Sequence, residues 1–171
     1  MSTWPIIALP DDAVTEVSAY INDCWQHAYA GILDPVFLAN LTTEDRAERI
    51  RRKLDDGAEI LVIRDDTAQL AGITLFGPSH LPGYATAGLV GMLYVRPDLI
   101  HTGLGHRLLQ AAEAALATRG YTQFVLDVFS ANTTAIEFYR RHGYEKTGEK
   151  QDLIEGNVYR LDIMAKPTHT P

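Results

Sequence analysis

The 171-residue chain contains one cysteine, Cys24, so an internal disulfide is excluded. In a helical pattern Cys24 reads as a small hydrophobe rather than a reactive thiol. Basic residues are the scarcer charge, 15 against 22 acidic, for a net charge of −7. That balance argues against a nucleic-acid binder, which needs a basic face. It is compatible with a cationic amine as substrate. No apolar run approaches the roughly 20 residues that cross a membrane. The N-terminus carries no basic stretch and no long apolar run, so a signal peptide is not expected and a cytoplasmic setting is. The six histidines are scattered, and His101 and His106 have no carboxylate at ligand spacing, so no metal is expected. A Gly-x-Ser-x-Gly elbow is missing too, which argues against a Ser-His-Asp hydrolase. The chain shows no repeat, linker or low-complexity segment. It is long enough for one domain with its own core.

The most organised stretch runs from Met92 to Leu109. An apolar, β-prone run from Leu89 to Val95 is ended by Pro97, which cannot donate to a sheet ladder. After a short polar loop, Gly103 and Gly105 open a helical pattern. Leu104, Leu108, Ala111, Ala112, Ala115 and Leu116 recur at three- and four-residue steps. A strand, a glycine loop and a helix N-terminus present unpaired N–H groups and partial positive charge. Residues His101, Thr102, Gly103, Leu104, Gly105 and His106 therefore read as a pyrophosphate cradle. A dinucleotide fingerprint would need Gly or Ala where Leu108 stands, and a P-loop would need Gly-Lys-Ser/Thr. Neither pattern is met.

The rest of the chain alternates helices and strands. Trp4 to Leu9 predicts a first strand, and Pro10-Asp11-Asp12 starts a helix with a stripe of Val14, Val17, Ile21, Trp25 and Ala28. Trp25 and Tyr29, at i and i+4, can pack into the core or line an acceptor pocket. Pro35 to Leu41 predicts a helical turn. Thr42 or Thr43 caps a helix from Glu44 to Leu54, whose polar face carries Arg46, Arg49, Arg51, Arg52 and Lys53. That basic cluster reads as a solvated face, with Glu44 and Glu48 pairing to the arginines. A hairpin follows, Ala58–Arg64 and Leu70–Phe76. After it come a strand over 87–95, a helix ending at Gly120 and a strand over 123–129. A helix over 133–142 and a closing hairpin, 144–153 and 158–165, complete the pattern.

Leu93-Tyr94-Val95-Arg96-Pro97 followed by Gly103-x-Gly105 and a leucine-rich helix resembles the acetyl-CoA motif of the GNAT superfamily of N-acetyltransferases. Ile100 occupies that motif's Gln/Arg position, and His101 stands where Gly is common. Asn132-x-x-Ala135-x-x-Phe138-Tyr139-x-x-x-Gly143-Tyr144 is similar to the family's downstream motif. The two motifs and the strand order cover roughly residues 58 to 165. The resemblance implies a single α/β domain over residues 1–166, a mixed, mainly antiparallel sheet flanked by helices, with a short disordered tail over 167–171. It implies acetyl transfer from acetyl-CoA to a primary amine, by direct attack and without a metal, and leaves room for a homodimer.

Thioester aminolysis sets four requirements. The glycine loop would hold the cofactor. Backbone N–H groups at Leu93, Tyr94 and Val95, on a splayed strand end, would face the thioester oxygen. Tyr139, at the family's acid position, would protonate the leaving thiolate, with Asn132 on the pantetheine arm or on a water. The acceptor amine must also lose a proton, because at pH 7 only about one lysine-like amine in a thousand or two is neutral. The strand over 87–95 has no acid where many family members carry glutamate. Asp127, His80, Asp34 and His27 are the candidate bases, and Asp127 can equally be an outward-facing polar residue. Trp25 and Tyr29 are the residues expected on the acceptor side. A rival reading is an acyl-CoA-binding protein that keeps the fold without catalysis.

Overall fold

The computed structural model describes residues 3–167. Its elements run β1 (Ile6–Ala8), α1 (Val14–Ala28), α2 (Pro35–Ala39), α3 (Thr43–Asp55), β2 (Glu59–Arg64), β3 (Leu70–Pro78) and β4 (Gly88–Val95). Then come α4 (Leu104–Thr118), β5 (Gln123–Phe129), α5 (Thr133–Arg141), β6 (Glu145–Ile154) and β7 (Asn157–Pro167). One seven-stranded sheet is ordered β1-β2-β3-β4-β5-β7-β6. Every neighbouring pair is antiparallel except β4–β5. A parallel pair needs a crossover, and α4 provides it. The expected mixed, mainly antiparallel α/β architecture is the one observed.

Helices cover both faces. On one, Val17, Ile21 and Ile50 of α1 and α3 pack on Val62 and Ile73. On the other, Leu109 and Leu116 of α4 and Ile136 of α5 pack on Phe76 and Leu126. Each fully buried Leu or Ile side chain contributes about 1.5–3 kcal/mol. α4 lies close to the sheet because β3 carries Gly72, where a Cβ would stand 2.7 Å from Leu108 Cδ1. α3 starts on Thr42, whose Oγ1 accepts from Asp45 N at 3.2 Å. Its first turn is acidic and its last basic, as the helix dipole favours.

Two features depart from expectation. The sheet continues one residue into the segment read as a tail, because Pro167 pairs with Gln123. Pro167 sits at the strand's end, where its missing N–H is tolerated. The remainder of that expected tail lies outside the described residues. Helix α1 begins later than Pro10-Asp11-Asp12 suggests, after a 3-10 turn over Asp11–Ala13.

The sheet also opens. β4 and β5 pair only at Gly88↔Phe124 and Leu89↔Val125. β5 then follows β7 along its whole length. β4 follows β3, but with an extra residue at Gly91, since Leu75 faces Met92 while Phe76 faces Val90. A β-bulge bends its strand and raises the local twist. This one sits where the two parallel strands part.

Candidate active site

The opening between β4 and β5 is the mouth of a cleft of about 1320 Å³. Its floor is β4 from Leu89 to Val95, a strand edge without a β5 partner beyond Leu89. Leu93, Tyr94 and Val95 all line it.

One end of the cleft is made of backbone. Gly103 precedes α4 with φ +88°, a conformation that glycine adopts without strain. The amides of Leu104, Gly105 and His106 have no intrahelical acceptor, because the first bond of this turn is Arg107 N to Gly103 O at 3.1 Å. His101 also has positive φ, +67°. The geometry of that position explains why glycine suits it. His101, Gly103, Gly105 and His106 line the cleft, and Ile100 stands beside them. Two neighbours do not. The Leu104 side chain is buried beneath α4 with Leu108 and Ile63. Thr102 turns back on Leu99, its N–H and Oγ1 both donating to the Leu99 carbonyl, at 3.3 and 2.5 Å. Of the two, Leu104 keeps a free N–H and Thr102 does not.

The middle belongs to α5. Asn132 caps this helix, its Oδ1 accepting from Ala135 N at 3.2 Å. That leaves the carboxamide nitrogen for the cleft. Tyr139 lines the cleft as well, its ring edge-on to Phe138 (5.3 Å between centroids) and Tyr144 (5.8 Å). Its hydroxyl has no hydrogen-bond partner among the described residues. Burial, with the neighbouring Tyr94 and the Asp127 carboxylate, raises its pKa, so the phenol keeps its proton at neutral pH.

The other end is made of side chains. Tyr94 Oη accepts from Trp25 Nε1 at 2.8 Å and lies 3.1 Å from Tyr29 Oη. Trp25 and Tyr29 stack edge to face at 5.0 Å, so they pack together and line the cleft at once. Burial raises the pKa of both Tyr29 and Tyr94. Tyr94 thus touches Trp25 and Tyr29 through its hydroxyl while its backbone lies on the cleft floor.

The four candidate bases separate. Asp127 lines the cleft but is ion-paired to Lys150 at 2.7 Å. His27 and His80 line it too. Asp34 does not: its carboxylate caps α2, accepting from Val36 N and Phe37 N at 2.8 and 3.1 Å. Among the described residues, no cluster of three or more His, Cys, Asp or Glu could hold a metal ion.

Two features escaped the sequence reading. His106 Nδ1 lies 2.8 Å from His142 Nε2, and His142 Nδ1 donates to Phe138 O at 2.7 Å, tying the start of α4 to the end of α5. Arg46, read as part of a solvated face, is 95% buried, its residual exposure being 5%. Its position carried a signal, because it lies four residues before Ile50 on the buried stripe of α3.

A sheet that splays between two parallel strands over a helix N-terminus is the architecture of the acyl-CoA-dependent N-acetyltransferases. Over residues 21–144 the sequence matches the acetyltransferase (GNAT) family, and the chain belongs to it. It is 30% identical to the L-methionine sulfoximine/L-methionine sulfone acetyltransferase of Pseudomonas paraeruginosa, across 92% of this chain and 83% of that one. It is 29% identical to the mycothiol acetyltransferase of Arthrobacter sp., across 83% of this chain but only 45% of the longer relative. The fold superposes on the PaiA N-acetyltransferase of Thermoplasma acidophilum, solved with coenzyme A, with a TM-score of 0.75 at 20% identity, covering 98% and 100% of the two chains. No helix among the described residues is long and apolar enough to cross a membrane.

Proposed function

We propose that this protein transfers an acetyl group from acetyl-CoA to a primary amine by direct attack. The observation that carries the reading is the juxtaposition within one cleft of an unpaired helix N-terminus, an open β4 edge and a protonated tyrosine. The donors present suit acetyl-CoA. Free amides at Leu104, Gly105 and His106 fit a pyrophosphate, and the same cleft is lined by β4 from Leu89 to Val95, where an extended arm would lie.

When bound, acetyl-CoA supplies an activated acetyl carbon: a C–N bond forms to the acceptor nitrogen, the C–S bond breaks, and CoA leaves as the thiol. The open N–H groups of β4 hold the charge that gathers on the carbonyl oxygen. Tyr139 gives its proton to the departing sulfur and regains one from solvent. The acceptor nitrogen sheds its proton without an acid on β4. Asp127 is engaged by Lys150, so His27, His80 or water takes this role. Trp25 and Tyr29 border the acceptor. The relatives named above act on unlike amines, so their acceptors do not transfer. A cytoplasmic setting fits the free thiol of Cys24. A homodimer fits the free β6 edge, near which Leu153 is exposed.

The test is thermal unfolding with acetyl-CoA, CoA and NAD, followed by a thiol-release assay. Ligand at ~100 times its dissociation constant adds about 2.7 kcal/mol. A rise in Tm with both CoA forms and not with NAD, plus amine-dependent thiol release, is the expected result. Binding without turnover on any amine would favour an acyl-CoA-binding protein. No shift at millimolar cofactor would end the reading.

A further inference from the structure

Arg46 is the least expected residue in the cleft. It is a buried guanidinium with no carboxylate within ion-pair distance among the described residues. Burying an unpaired cation costs several kcal/mol. Part of that cost is offset locally. Arg46 Nε donates to Asn22 Oδ1 at 3.0 Å, and the guanidinium carbon lies 4.1 Å above the Trp25 ring. Asn22 is itself fixed by Thr42 O at 3.0 Å. These contacts engage one edge and one face of the guanidinium. The two terminal nitrogens, the fork that matches a carboxylate in bidentate fashion, have no partner among the described residues.

The surrounding charges point the same way. Arg46, Arg49 and Lys53 recur at i, i+3 and i+7 on α3, and all three line the cleft without an ion pair among the described residues. The acids lining the cleft are already engaged: Asp127 and Asp152 on Lys150, and Glu137 on Arg141. Within this cleft the acceptor end therefore offers free positive charge and no free negative charge, while Asp45 and Glu155 lie with Arg46 and Arg49 around an adjoining pocket. A polyamine would find nothing there to neutralise its remote ammonium groups.

We infer that the acceptor is a small amino acid-like molecule whose carboxylate is held by the terminal nitrogens of Arg46, with Arg49 and Lys53 adding attraction. The Trp25 ring under Arg46 stands edge to face with Tyr29 at 5.0 Å, and Tyr29 and Tyr139 both line the same cleft. Trp25 fixes the guanidinium plane, so Arg46 is held ready before the acceptor arrives. The inference rests on the acetyltransferase reading and names its substrate class.

The experiment compares acetylation of the free L-amino acids with that of their carboxamides and of spermidine, by thiol release from acetyl-CoA. The expected result is that at least one free acid exceeds its own amide about tenfold or more in kcat/KM, the scale of a charged hydrogen bond, while spermidine is poor. Arg46→Gln then raises KM for the acid about tenfold or more, narrows the acid–amide gap, and leaves KM for acetyl-CoA unchanged. Arg49→Gln, on an exposed position, gives a smaller effect in the same direction and keeps the comparison usable if the Arg46 variant fails to fold. Equal turnover of acid and amide, preference for spermidine, or cofactor binding with no turnover of any free acid would overturn the inference. Failure of acetyl-CoA to raise Tm is a separate result, because it removes the acetyltransferase reading itself.

Discussion

The two ends of the cleft are built in opposite ways. At the α4 end the donors are backbone amides, and the sequence contributes only permission, a glycine at φ +88° and a tight turn before it. At the α1–α3 end the polar groups belong to Trp25, Tyr29, Arg46 and Tyr94, fixed by one another. A backbone site tolerates changes of side chain, so Ile100 at the motif's Gln/Arg position leaves the amides in place. A side-chain site changes its chemistry with each substitution. On the proposed function, the difference separates a part of the protein that would serve a common cofactor from a part that would select one acceptor.

Tyr139 stands where the ends meet, and removing its hydroxyl has the largest expected effect. Tyr139→Phe should lower kcat by about a hundredfold, within the range of general acid catalysis, with KM for acetyl-CoA unchanged. Tm should hold, since the hydroxyl bonds to nothing described. Burial raises the phenol's pKa above its ordinary 10.0, so the wild-type rate should show no alkaline decline below pH 9 from this group. Full turnover by the variant would remove Tyr139 as the acid and leave the cleft's two ends without a shared catalytic group. Tyr94→Phe should act on one end alone. It leaves Trp25 Nε1 and Tyr29 Oη without their partner, at a cost of about 1–3 kcal/mol in stability. KM for the acceptor should rise several-fold more than KM for acetyl-CoA. Equal rises would mean that the ends are not separable.

The same contrast explains what could be read from the sequence. Strands and helices were legible from their periodicity and turn residues, because those signals are local. β5 was placed at its observed bounds, Gln123–Phe129, and α3 within a residue at each end. The glycine loop and the start of α4 were legible because glycine spacing and a helix start lie within six consecutive residues. The α1–α3 end of the cleft was only partly legible. Trp25 and Tyr29 meet Tyr94 across 69 and 65 residues of chain. No spacing rule joins positions so distant. Arg46 was misread because a basic cluster on a helix is usually solvated. Its place on the Ala47–Ile50 stripe was the contrary signal. Pro167 was misread because a terminal proline resembles a tail, whereas it extends β7 to match Gln123 of β5.

His101 tests the backbone end at smaller scale. A non-glycine residue at φ +67° carries roughly 1 kcal/mol of conformational cost. His101→Gly relieves that cost but frees the unfolded chain, so Tm should change by a few degrees at most. If the cradle is backbone-built, Kd for acetyl-CoA should stay within about threefold, as expected for loss of one weak contact. A loss of tenfold or more would show that the imidazole binds the cofactor directly, and the two ends would then be alike in construction.

Cys24 reports on the side-chain end with the smallest perturbation. It is 4% exposed on α1, one residue before Trp25, and burial pushes its thiol up to about 11 from 9.0. The native state therefore prefers the neutral thiol. The sign follows: stability is intact below pH 9.0, where neither state ionises, and falls as pH rises through about 11. At pH 8 the native thiolate fraction is about a hundredfold below that of an unfolded chain. A disulfide reagent should label Cys24 slowly at pH 8 and at full rate in denaturant. In Tyr94→Phe, loss of the bond to Trp25 should loosen the last turns of α1 and raise the labelling rate. In His101→Gly it should not. If both variants, or neither, changed the rate, α1 would not be held by the Tyr94 network, and the rigidity assigned to the acceptor end would have to come from the core beneath it.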